Sequence, residues 1–210
     1  MTRILIVDDH DIVREGLRQI VSETEDISVS GEARTGAEAL EKLREGGCDL
    51  VILDLNLPDR PGLDVLSQIR ALYPRLPVLV LSMHREASYA SRALHAGAAG
   101  YISKDHAREF LVAAIRRLRQ GERFLPPALA ESIAFELMDT GRRVKHEVLS
   151  DREFTIFCMI AAGKPPRQIA SELGVSVKTV GTHRSRILQK MTLRNNAEIV
   201  QYAIEHNLLN

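Results

Sequence analysis

Short apolar runs alternate with amphipathic stretches through the first half of the chain. Residues 4–7, 50–53, 78–81 and the shorter 101–102 are continuously apolar, and a weaker run covers 27–33. Continuous runs predict strands buried on both faces, since a strand with one wet face would alternate. Between them, apolar positions recur at helical spacing over 11–21, 36–45, 62–72, 87–96 and 107–120. Strand and helix alternating five times predicts a parallel sheet with helices on both faces.

The rhythm stops after Gly121. Pro126-Pro127 interrupts the chain, and 128–138 reads as one short helix with Leu129, Ile133 and Leu137 on a stripe. Residues 141–146 are polar and basic, as a linker should be. From Leu149 onward the pattern is helical, in about four helices. The expected organisation is an α/β domain over 1–120, a linker with a short helix over 121–146, and a small all-α domain over 147–210.

Composition supports two folded domains. The chain has 210 residues, and its 45% apolar content suffices for real cores. Cys48 and Cys158 read as reduced thiols. The apolar run before Asp8 is only four residues long, 4–7, too short for a signal peptide or a membrane span, so a soluble cytoplasmic protein is expected. Net charge is zero but uneven: residues 144–210 carry nine Lys/Arg against six Asp/Glu. No acid falls between Glu172 and Glu198, where Lys178, Arg184, Arg186, Lys190 and Arg194 lie. An acid-free basic stretch inside a helical pattern points to a polyanion partner.

In an open α/β sheet, ligands bind beyond the carboxyl ends of the strands. Asp8 and Asp9 follow the first run, Asp54 ends the third, Ser82 follows the fourth and Lys104 follows the fifth. The topology therefore gathers three carboxylates, a hydroxyl and an ammonium at one edge. Clustered carboxylates call for a cation, and hard oxygen ligands with room for water suit Mg²⁺. A carboxylate can also attack phosphorus to give an acyl phosphate. Such a transfer needs neutralisation of the equatorial oxygens, which Mg²⁺, Lys104 and Ser82 would supply. Asp54, held by an apolar run at the central strand's end, is the natural acceptor, with Asp8 and Asp9 on the metal.

Residues 1 to about 120 resemble the receiver domain of two-component response regulators. The resemblance is carried by Val7-Asp8-Asp9-His10, Asp54-Leu55-Asn56-Leu57-Pro58 with Gly62-Leu63, Leu81-Ser82, and Gly100-Tyr101-Ile102-Ser103-Lys104-Asp105. It implies a flavodoxin-like fold with strand order 2-1-3-4-5. It also implies that a sensor histidine kinase phosphorylates Asp54. Mg²⁺ would be held by Asp9 and Asp54, by Asp8 through water, and by the Asn56 backbone carbonyl. Ser82 would reach the phosphoryl group and Tyr101 would move with it as a switch. Asp105 departs from the proline that many receivers carry after the lysine.

In the second half, Pro166 can open a helix, Gly174-Val175-Ser176 turns the chain, and Ser176 can cap the next helix. This is a helix-turn-helix pattern. At ~100° per residue, Val180, His183, Ile187 and Met191 cluster on one side and should face the core. Lys178, Thr182, Ser185, Arg186 and Gln189 lie opposite, a face of donors and short side chains that suits a DNA major groove. Arg184 points sideways, towards a phosphate contact or packing. His183 is expected to be a hydrogen-bonded structural histidine, and Cys158 a packing residue.

Residues 147 to 207 resemble the LuxR-type helix-turn-helix domain, and the whole chain resembles the NarL/FixJ class of regulators. Leu149-Ser150-Asp151-Arg152-Glu153, Ala162-Gly163, Ile169-Ala170, Leu173, Ser176, Thr179-Val180, His183, Ile187 and Lys190-Met191 carry it. The DNA-contact set is then Lys178, Thr179, Thr182, Ser185, Arg186, Gln189 and Lys190. Pro165-Pro166 and Gly181 depart from the family pattern; Gly181 removes a side chain that could touch a base. The expected function is a phosphorylation-dependent transcriptional regulator that binds double-stranded DNA as a homodimer and has no catalytic turnover beyond self-phosphorylation and self-dephosphorylation. A phosphatase of the haloacid dehalogenase type would need an acid/base Asp two residues after the nucleophile, where Asn56 stands. An adaptor that signals by protein contact is the other alternative.

Overall fold

A computed structural model describes residues 1–83, 87–139, 145–206 and 208. The side chains at 135–139, 145, 147 and 151 are outside that description, so the linker run at 141–144 and the Leu137 side chain of the expected stripe lie outside the described residues. The chain separates into two compact units, Met1–Leu137 and Met138–Asn210.

The first unit holds β1 (Thr2–Val7), α1 (Asp11–Ser22), β2 (Ile27–Ala33), α2 (Gly36–Glu45), β3 (Leu50–Asp54), α3 (Gly62–Leu72), β4 (Val78–Ser82), α4 (Ala87–His95), β5 (Gly100–Ser103) and α5 (Ala107–Arg119). The sheet is wholly parallel in the order β2-β1-β3-β4-β5. Every residue of β3, β4 and β5 is buried. Alternate residues serve the two faces: Ile4, Ile6, Leu50, Ile52, Leu79, Leu81 and Ile102 share one core with Leu17 and Val21 of α1 and Leu111, Ile115 and Leu118 of α5. Leu5, Val7, Val51, Leu53 and Val80 are equally buried and point to the opposite face.

β5 is longer than its apolar pair suggested. Gly100 and Ser103 pair with Leu79 and Ser82 through backbone groups, which no side-chain pattern reveals. Beyond it, Phe124 adds a single bridge: its carbonyl accepts from Tyr101 N at 3.1 Å and its N–H donates to Ala99 O at 3.2 Å.

After α6 (Pro127–Asp139), the second unit holds α7 (Asp151–Ala161), α8 (Pro166–Glu172), α9 (Val177–Met191) and α10 (Asn196–Glu205). Phe154, Phe157, Ile187, Met191 and Ile199 are fully buried between these helices. His146 stacks on Phe154 and meets the Tyr202 hydroxyl at 3.2 Å. Gly174 takes φ +63° in the turn between α8 and α9, a left-handed conformation that costs glycine nothing. Ser176 then caps α9 by accepting from Thr179 N at 3.0 Å. Among the described residues, no helix is long and apolar enough to cross a membrane.

Candidate functional site

Parallel pairing brings the carboxyl ends of the strands level. Val7 aligns with Leu53, Asp54 with Leu81, and Ser82 with Ser103. The residues at or just after these ends therefore meet. Lys104 Nζ lies 2.8 Å from Asp54 Oδ2 and 2.6 Å from Asp8 Oδ2. Both carboxylates are about 1% exposed, and the Lys104 side chain 7%. Asp9, Asp8, His10 and Asp54 present ligand atoms that all lie within 4.8 Å of one another. Ser82 is fully buried at the end of β4, and Tyr101 is fully buried within β5.

One ammonium serves two buried carboxylates. Burial pushes the Asp54 carboxyl up and neighbouring Asp8 adds to that, while Lys104 and the Asn56 backbone N–H oppose it without winning. Burial acts to lower Lys104, but Asp54 and Asp8 outweigh it and hold the ammonium above its ordinary range. Asp54 Oδ1 is buried and has no side-chain hydrogen-bond partner among the described residues. A carboxylate oxygen left bare in that way is an open valence for a cation or a phosphoryl group.

Gly62 fixes the loop that carries Asp54. A Cβ there would sit 2.4 Å from Leu55 Cα and 2.5 Å from the Asp54 carbonyl oxygen, so no other residue fits. The Gly62 N–H donates to Leu55 O at 2.9 Å, and Asn56 bridges to Pro61. The reading of the residues missed Arg14, whose guanidinium donates to the Asp8 carbonyl at 2.8 Å. A signal existed: Arg14 shares the buried stripe of α1 with Leu17 and Val21, at helical spacing.

On the second unit, Lys178, Thr182, Ser185, Arg186 and Gln189 are all exposed along α9, and α9 contains no acid. Two members of the expected contact set have other engagements. The Lys190 ammonium lies 2.6 Å from Glu153 Oε2, tying α9 to α7, and Thr179 Oγ1 lies 2.8 Å from the capping Ser176 hydroxyl. Lys190 nevertheless keeps its side chain 42% exposed on the surface of α9. Arg184 donates from Nε to Asn196 Oδ1 at 2.7 Å, which settles its sideways direction as a link to α10. His183 differs from expectation: it is half-buried, its Nδ1 has no partner among the described residues, and burial lowers its pKa. Cys158 is half-buried rather than wholly inside the core.

A doubly wound sheet with an acidic pocket at its carboxyl edge, followed by a helix-turn-helix unit, defines the class of receiver-containing DNA-binding regulators. Family models agree. The response regulator receiver domain matches residues 4–116, and the luxR family of bacterial regulatory proteins matches residues 147–203. The chain belongs to the two-component response regulators of the NarL/FixJ class, with a receiver domain and a LuxR-type DNA-binding domain. It is 33% identical to the response regulator UvrY of Escherichia coli K12 across 100% of this chain and 97% of that one. It is 35% identical to the oxygen regulatory protein NreC of Staphylococcus carnosus, covering 99% of both. Among solved structures, the response regulator ChrA of a heme-sensing two-component system is 31% identical with a TM-score of 0.53, covering 99% of this chain and 98% of that one. RcsB of Salmonella typhimurium gives 25% identity and a TM-score of 0.61 over 96% and 97%.

Proposed function

We propose that Asp54 accepts a phosphoryl group from a phosphohistidine on a sensor histidine kinase, and that this shifts the chain towards a DNA-binding homodimer. The observation that carries the reading is Asp54 itself: one carboxylate oxygen is held by Lys104, and the other is buried with no side-chain partner among the described residues. The free oxygen attacks phosphorus, the phosphorus–nitrogen bond of the donor breaks, and the product is an acyl phosphate on Asp54. Mg²⁺, when bound, neutralises the transferring oxygens; Asp9 and Asp54 would hold it, with Asp8 through water and the Asn56 backbone carbonyl completing the set. The donor set fits that ion, because the carboxylates of Asp8, Asp9 and Asp54 crowd together while Lys104 pairs with only Asp8 and Asp54 among the described residues. Lys104 stays on the carboxylates until the phosphoryl group arrives and then serves its oxygens. Ser82, buried at the end of β4, is placed to reach the same group, and Tyr101 is the coupled switch.

The output is double-stranded DNA, read by Lys178, Thr182, Ser185, Arg186 and Gln189 from α9. RcsB, a structural relative, is a response regulator characterised by its DNA interaction. One helix covers only a few base pairs, so two copies on two half-sites give the needed affinity. Such a regulator works in the cytoplasm, and its only chemistry is self-phosphorylation from small donors and the reverse hydrolysis. Intact-protein and peptide mass analysis after treatment with a small phosphodonor and Mg²⁺ tests the acceptor. One phosphoryl group on the Asp54 peptide, lost in Asp54→Asn, is expected; label elsewhere with none on Asp54 would refute it.

A further inference from the structure

The acidic turn is held from an unexpected side. Arg14 lies on α1 with its side chain only 7% exposed, and a guanidinium is buried only when its donors are matched. NH1 donates to the Asp8 carbonyl at 2.8 Å, Nε donates to Glu32 Oε2 at 2.8 Å, and NH2 pairs with Asp11. The two carboxylates are themselves braced: Arg18 Nε lies 3.3 Å from Glu32 Oε1, and Arg34 donates to Asp11 Oδ1 at 2.9 Å. On its other side Asp8 donates its own N–H to Ala33 O at 3.0 Å. Both backbone groups of Asp8 are thus fixed. Its side chain is left with one narrow orientation, towards Lys104 at 2.6 Å and the His10 N–H at 2.9 Å.

We infer that Arg14 is a positioning residue for the pocket: it holds the Asp8-Asp9 turn in the geometry that Mg²⁺ needs. The inference rests on the metal reading given above. Arg14 touches neither the ion nor the phosphoryl group. Its effect passes through the Asp8 peptide, and its own charge is matched by Asp11 and Glu32. This gives a sign that separates geometry from charge. A nearby cation acting by charge alone repels Mg²⁺, so removing it would tighten binding. A positioning residue, when removed, loosens binding.

The test is Mg²⁺ titration of the full-length chain by calorimetry, with thermal unfolding measured alongside. Arg14→Gln is expected to weaken Mg²⁺ about tenfold, the lower end of the loss seen when the supports of metal ligands are removed. Arg14→Lys keeps the charge and the stem, but one ammonium cannot serve three acceptors in fork geometry, so it is expected to weaken Mg²⁺ as well. It also serves where the glutamine variant does not fold. Arg116→Gln removes a charge of the same sign from the same unit outside this network, where Arg116 pairs with Asp26, and is expected to leave Mg²⁺ affinity unchanged. If Arg14→Lys melts lower yet binds Mg²⁺ as tightly as wild type, Arg14 is only a strut between α1 and β2 and the inference falls. A wild-type chain that bound no Mg²⁺ would overturn the metal pocket itself, and the role of Arg14 with it.

Discussion

At the scale of single residues, the ratio of one ammonium to two carboxylates governs how the pocket responds to pH. Asp54 has a carboxyl pKa raised by burial, so its folded form holds a proton more tightly than its unfolded form. The stability that goes with this is present at low pH and is lost as pH rises through the raised value. At neutral pH the ionised Asp54 therefore opposes folding. Asp54→Asn leaves Lys104 matched by Asp8 alone and is expected to raise stability by roughly 1 kcal/mol at pH 7 without Mg²⁺, the cost of one poorly matched buried polar group. Thermal unfolding checks this, and an unchanged or lower melting temperature would count against it. The five strand-end residues were legible because continuous apolar runs locate strand ends, and parallel topology places those ends together. Arg14 was not legible as a partner of Asp8, because its acceptor is a backbone carbonyl and carries no residue identity.

At the scale of elements, α7 and α9 are joined by a charge pair that the spacing of residues does not announce. Glu153 closes a capping box with Ser150 and also accepts from Lys190 at 2.6 Å, so one buried carboxylate starts α7 and anchors α9. Burial would raise its pKa, but Lys190 and the Ser150 donors outweigh that and hold it below the ordinary glutamate range. Its contribution is present above the unfolded pKa and is lost as pH falls through the lowered value. Glu153→Gln is expected to cost about 1.5–3 kcal/mol near neutral pH, the worth of hydrogen bonds to a charged group, and to cost little in acid. Unfolding of the full chain at both pH values reads this; an equal cost at both would contradict it. Gly181 lies within α9, and a Cβ there would meet nothing within 4 Å. Gly181→Ala is expected to stabilise α9 by about 1 kcal/mol through helix propensity alone, as denaturant unfolding would show. The helices themselves were legible to within a residue or two from their 3.6 period. The ends of β5 and the Phe124 bridge were not, since backbone pairing leaves no mark on side-chain pattern.

At the scale of the whole molecule, charge and phosphorylation set DNA binding together. The surplus of cations in residues 144–210 and the acid-free α9 give an electrostatic footprint for phosphates. Lys178→Ala and Arg186→Ala are each expected to lower the salt slope of DNA binding by about one if they contact phosphate. Titrations at several salt concentrations measure that slope, and an unchanged slope in both would remove α9 from the interface. The exposed side of α9 was legible from its angles, whereas the ties of Lys190 to Glu153 and of Thr179 to Ser176 needed partners on α7 and at the helix cap. The central claim joins the two units: a phosphoryl group on Asp54 governs DNA affinity. Its most direct test is binding of wild type and Asp54→Asn to a selected DNA site, each with and without a small phosphodonor and Mg²⁺. Tighter binding by phosphodonor-treated wild type alone is the predicted result; equal affinity in all four conditions would contradict the account.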